Sequence, residues 1–137
     1  MNLDCKEQAV LQIKSYPTLE AMRHLNEVRG KFVQLNWKGL PWLLFASRDQ
    51  HAFHNQIVAH FMSEQHLPHH WHSPEILHFE QPELEIVGGG KFWLNWQENQ
   101  LLLADNSMVY GRFVEEGLKA ALQDSGMPWA GFEIEIR

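Results

Sequence analysis

Three consecutive glycines, Gly88 to Gly90, stand inside "ELEIVGGGKFWLNWQ", between two stretches that alternate apolar and polar residues as β-strands do. Glycine in a strand packs no side chain and loses more conformational freedom on folding than any other residue. A run of three therefore requires a use for bare backbone. Two uses are open: a bulge or tight link between strands, or a stretch that a ligand approaches closely. Either way the triplet must sit at a sheet, and the rest of the chain has to be arranged around it.

The chain is long enough for that sheet to be buried. Its 137 residues are 45% apolar and 20% charged, the composition of one ordinary globular domain. A net charge of −6, with no Lys/Arg block to offset it, argues against a nucleic-acid partner. The single cysteine, Cys5, allows no internal disulfide and fits a reducing compartment. The N-terminus "MNLDCKEQAV" is polar and lacks a signal-peptide pattern, and the longest apolar run, "LPWLLFA", is far too short to span a bilayer. These features lead to the expectation of a soluble, cytoplasmic protein with no membrane partner.

Residues 1–30 read as an N-terminal helical extension. Asp4 and Glu7 have capping-box spacing before "QAVLQIK", which favours a short helix, with a strand through Ala9, Leu11 and Ile13 as the competing reading. Thr18 can cap a second helix, "LEAMRHLNEVR", closed by Gly30. Residues 31–137 read as a separate α/β unit. "KFVQLNW" and "PWLLFAS" form a hairpin across Lys38-Gly39. Residues 49 to about 65 form a helix on which Phe53, Ile57, Val58, Phe61 and Met62 share a face. "EILHFEQPELEIVG" alternates with a break at Pro82, and "KFWLNWQENQLLLAD" turns at Glu98-Asn99. "GRFVEEGLKAALQDSG" predicts an amphipathic helix with Val114, Leu118, Ala121 and Leu122 inward, and "FEIEIR" a last strand. The expected fold class is α/β, a mixed β-sheet packed between helices with a helical N-terminal extension.

Seven of the nine histidines fall between His51 and His72. His54 lies on the apolar face of its helix, early in the first turns. Taken alone that position favours a core histidine held by a hydrogen bond, though an imidazole poised near neutral pH is also what a general base or phosphoryl acceptor requires. "HLPHHWH" brings His66, His69, His70 and His72 close in sequence, but no cysteine or matched carboxylate completes a metal site and the spacing matches no helical pair built for a metal, so a polar loop is expected and no metal. "ADNSMVYGRF" reads as a strand end, a polar turn and a helix start. Such a turn can hold an anion on free N–H groups with Ser107 adding a hydroxyl, or Ser107 can simply cap the helix. "GGGK" is followed by Phe92, so it is not a Walker A loop, and GxGxxG is absent.

Taken together, "GGGKFWLNWQENQLLLADNSMVYG" resembles the Janus/Ocnus family, the phosphohistidine phosphatases: a glycine triplet followed by a basic residue, a hairpin, then a Ser-Met-x-Tyr-Gly turn. The matching residues are Gly88, Gly89, Gly90, Lys91, Ser107, Met108, Tyr110 and Gly111. The family's histidine after an aromatic residue corresponds to His54 in "AFHNQIV", and its lysine at the first core strand to Lys31 in "GKFVQL". The resemblance covers about residues 31–137. Departures are the first 30 residues, the histidine-rich stretch after the helix, and Val109 where a smaller alanine is usual.

The resemblance implies a metal-independent phosphatase acting on phosphohistidine in proteins, without a cofactor. His54 would be general base or phosphoryl acceptor, and the phosphoryl group would be held by Lys31, Lys91, the amides of Ser107, Met108 and Val109, and the bare backbone of the triplet. The rival readings are a non-catalytic phosphate- or phosphoprotein-binding protein and a histidine-rich metal binder.

Overall fold

The structure, a computed structural model, describes residues 10–137. Its centre is a long antiparallel ladder between β2 (Glu27–Trp37) and β6 (Leu84–Asn95), the two longest strands of the protein. Around it, β1 (Gln12–Tyr16), β3 (Leu40–Ser47), β7 (Gln100–Ala104) and β8 (Glu133–Ile136) complete a mixed six-stranded sheet in the order β1-β3-β2-β6-β7-β8, with both edge strands running parallel to their neighbours. A separate two-stranded ribbon pairs β4 (His70–Ser73) with β5 (Ile76–His78). Two α-helices accompany them: α1 (His54–Glu64) and the short α2 (Leu118–Gln123).

This overturns the expected helix-flanked α/β fold with a helical extension: the protein is predominantly β. Three segments account for the difference. Gln12–Tyr16 is a strand along the free edge of β3, Gln12 opposite Trp42 and Tyr16 opposite Ala46, so the backbone groups of an open sheet edge prevail over helical spacing. It is clamped there by its side chains. The Tyr16 hydroxyl donates to Glu64 (2.7 Å), Lys14 pairs with the same carboxylate (3.4 Å), and the Tyr16 ring stacks on His60 at 3.9 Å. The expected Asp4–Glu7 cap lies outside the described residues. Of the second expected helix only a 3-10 segment, Glu20–Leu25, forms; residues from Glu27 onward are drawn into β2 by pairing with β6, Glu27 opposite Asn95 and Gly30 opposite Phe92.

The third segment is 111–126, where helix is confined to Leu118–Gln123. Gly117 has a left-handed φ of 75°, a conformation no helix can run through, and Val114 is exposed. Phe113 goes inward instead, its ring 4.9 Å from that of Phe32. Two hydrophobic layers result. On one face Ile57, Val58, Phe61 and Met62 of α1 pack on Val33, Leu35, Leu44 and Ala46. On the other, Trp129, Phe113, Leu118 and Leu122 cover Phe32, Phe45, Phe92 and Leu94. Both expected hairpins and the last strand are present.

Candidate functional site

The glycine triplet lies within β6 rather than ending it. Each glycine is bare because another group occupies the space where a Cβ would stand. At Gly88 that group is the backbone of Arg112, 2.3 Å from the Cβ position; at Gly90 it is the carbonyl of Ala104 at 2.4 Å, with the Phe32 ring behind it. At Gly89 the Cβ position is 2.8 Å from Cδ2 of His54 and 2.6 Å from the carbonyl of Phe32. Just before the triplet the ladder slips, Gln34 facing Gly88 but Leu35 facing Ile86, so Val87 is the extra residue of a bulge. Over bare Gly88 the Gln34 amide pairs with Val114 as a strand would, accepting from its N–H (2.7 Å) and donating to its carbonyl (3.0 Å).

His54 opens α1. The Gln56 side chain accepts the N–H groups of Ala52 and Phe53 (3.0 and 3.1 Å), which tightens the turn into the helix and starts it five residues later than the sequence pattern suggests. Phe53, expected on the buried face, is at the N-cap and exposed, with the Lys31 ammonium 5.4 Å from its ring centre. The His54 imidazole is buried against Gly89, with Nε2 2.8 Å from the Gly90 carbonyl. A carbonyl only accepts, so Nε2 carries the proton and Nδ1 keeps its lone pair. Among the described residues Nδ1 has no hydrogen-bond partner. Burial above all holds the imidazole below its usual pKa of 6.5. The Gly90 carbonyl opposes that, Lys31 and Lys91 reinforce it, and Asp105 weakly opposes it.

The two lysines face each other. Lys31 on β2 is directly opposite Lys91 on β6. Like charges across a ladder repel. Lys31 is held below its ordinary pKa by burial first, then by Lys91 and Arg48. Lys91 is compensated by Asp105 at 3.1 Å, a partner the sequence reading did not include. Its signal was its place at the end of β7, one residue past Ala104, which faces Lys91.

Ser107 to Gly111 follows as a closed loop, not as the start of a helix. Ser107 and Gly111 exchange backbone hydrogen bonds (3.0 and 2.8 Å), and the buried Ser107 Oγ accepts the Tyr110 N–H (3.1 Å). The Ser107 N–H is thus committed to the loop, which corrects its expected use as an anion donor. Met108 and Val109 are exposed, and among the described residues their N–H groups meet no acceptor. The loop joins the triplet through Gly89, whose N–H donates to Gly111 O at 3.1 Å. Gly89 thus meets the His54 ring and the Gly111 end of the loop, while Lys31 and Asp105 both face Lys91.

The second histidine group lies elsewhere. His70 and His78 face each other on the β4–β5 ribbon with ring centres 5.0 Å apart, while His69 binds the Leu67 carbonyl (2.8 Å). Among the described residues no three His, Cys, Asp or Glu side chains converge in a way that could hold a metal ion, and no helix is long and apolar enough to cross a membrane. No family model matches the chain, and no curated protein matches it.

Proposed function

We propose that this protein is a cytoplasmic, metal-independent phosphatase that removes the phosphoryl group from phosphohistidine in proteins, as the resemblance to the Janus/Ocnus family implies. The observation that carries the reading is His54. It is a buried imidazole whose Nε2 proton is fixed by the Gly90 carbonyl, leaving the Nδ1 lone pair free beside two lysines.

The chemistry needs little more. A phosphoramidate bond is labile, so the enzyme has chiefly to position the phosphoryl group and neutralise its oxygens. Lys31 and Lys91 supply positive charge, and the Met108 and Val109 amides supply unclaimed donors. Either His54 Nδ1 takes a proton from a water that attacks phosphorus, or Nδ1 itself attacks phosphorus and water later hydrolyses the phosphorylated His54 to free phosphate; in both routes the P–N bond of the substrate breaks and its imidazole leaves with a proton taken from solvent. Rapid quenching under alkaline conditions separates the routes, since only the second leaves phosphate bound to the enzyme.

The test is turnover of a phosphohistidine peptide by the parent protein and by His54→Ala, with and without chelator. The reading expects activity in the parent, insensitivity to chelator and loss in the variant. Turnover retained by His54→Ala would overturn it. Phosphate titration should shift the amide signals of Met108 and Val109; a response at His54 with none at those amides would remove the loop from the site.

A further inference from the structure

Four cations line one cavity of about 460 Å³: Arg29 and Lys31 from β2, Arg48 just past β3, and Lys91 from β6. In a chain of net charge −6, no acidic side chain lines it. Lys31 and Lys91 belong to the phosphoryl site proposed above. Arg29 and Arg48 have no role there, and sequence reading passed over Arg29 because it began the strand at Lys31.

Their placement is specific. Arg29 and Lys31 are two residues apart on one strand, so their side chains leave the same face with backbone origins about 7 Å apart. Arg48 is held alongside by its own N–H, which donates to the Arg29 carbonyl at 3.0 Å. Arg29 has a loose contact at 3.7 Å, between partly exposed side chains, with Glu27, whose carboxylate also accepts the Trp93 indole N–H (2.7 Å), and the Arg29 guanidinium lies 6.0 Å from the Trp93 ring centre. Such an exposed pair is weak and exchangeable. Arg48 forms no ion pair among the described residues. With Lys91 paired to Asp105 and Arg29 only loosely to Glu27, Lys31 and Arg48 are the two cations of the four without an ion-pair partner among the described residues, and their gathering is unfavourable until an anion arrives.

Building on the phosphohistidine reading, we propose that Arg29 and Arg48 form a second anion subsite, which takes the carboxylate of an Asp or Glu two residues from the phosphohistidine in an extended substrate segment. Side chains two residues apart in an extended peptide share a face at about the same 7 Å spacing as Arg29 and Lys31, so phosphoryl and carboxylate reach the two subsites together. Guanidinium forks suit a carboxylate, whereas the lysines act on the phosphoryl group as point charges.

The experiment compares two peptides carrying a stable phosphonate analogue of phosphohistidine, one with Glu two residues away on both sides and the other with Gln there. Binding to the full chain is measured at low and high salt for the parent and for the double variant Arg29→Gln, Arg48→Gln. The parent should bind the Glu peptide about fivefold more tightly at low salt, and less selectively at high salt. In the double variant the ratio should fall to near one, whatever its absolute affinity. Equal affinities in the parent, or a preference that survives in the variant, would overturn the subsite while leaving the phosphohistidine reading intact. Failure of the parent to bind either peptide would overturn both.

Discussion

Two of the protein's histidine environments are opposite in character. His54 is buried, its Nε2 is tied to Gly90, and its ring fills the space left by Gly89. His70 and His78 pair on the exposed β4–β5 ribbon, which is tied to α1 through the Asn55 side chain, donating to the Glu75 carbonyl at 2.7 Å. The richer cluster in sequence is the more exposed one in space. A base needs a fixed tautomer, partial desolvation and neighbouring charges, and a sheet interior supplies these where an exposed ribbon does not.

The largest expected effect tests that contrast directly. His54→Ala should melt cooperatively yet lose on the order of a hundredfold or more in rate, the usual range for a general base. The double variant His70→Ala, His78→Ala should keep the parental rate in the same assay. Comparable losses in both proteins would break the comparison.

Next is the packing that holds His54. Gly89→Ala brings a methyl group against the Phe32 carbonyl and the imidazole. Overpacking of that kind costs about 1–3 kcal/mol, and the displaced ring should take turnover down with it. Denaturant midpoints would check the stability, with Gly131→Ala as control, because a Cβ at Gly131 meets nothing within 4 Å. That control should stay within about 0.5 kcal/mol of the parent.

A smaller effect concerns pH. His54 and His51 are both held below the usual 6.5, chiefly by burial. Their folded forms bind protons less readily than the unfolded chain, so unfolding takes up protons as the pH falls. Their contribution to stability is complete above about pH 6.5 and declines as the pH drops toward their folded values. Unfolding free energies across that window should slope downward toward acid, and His54→Asn should flatten the slope. An unchanged slope would show that His54 titrates normally.

Smaller again is Lys91. Lys91→Met should weaken phosphate-analogue binding severalfold at low salt, with the loss shrinking at high salt, as expected for an exposed and screened contact. Asp105, relieved of its partner, would add repulsion toward the anion. Equal affinities at low salt would remove Lys91 from the site.

The candidate site was more legible than the fold. Gly88 to Lys91, Ser107 and His54 were each visible because their residue types are unusual where they stand: glycines in a strand, a polar turn after one, a histidine on an apolar helix face. The hairpins were readable from alternation and turn chemistry, as at Lys38-Gly39 and Asn99, which take left-handed φ values of 52°, 78° and 55°. Residues 12–14, 27–29 and 111–117 were read as helix but are not, since the groups that decided them are distant in sequence. The edge of β3 captured Gln12–Tyr16, β6 captured Glu27 to Gly30, and a bridge from Gly89 to Arg112 with the Gln34 amide on Val114 held Arg112 to Val114 out of the helix.

By itself the sequence determined where backbone would be bare, where the hairpin turns would fall, and that Ile57, Val58, Phe61 and Met62 would be buried together, because those follow from conformational freedom and local periodicity. Only the tertiary structure decided what the bare backbone is for. The collisions that forbid a Cβ at Gly88, Gly89 and Gly90 come from Arg112, His54, Phe32 and Ala104, which sequence separation hides. Pairing Lys31 with Lys91, Lys91 with Asp105, and the His54 ring with Gly90 likewise depends on strand register and helix docking. Those long-range contacts set the local charge around His54 and its tautomer.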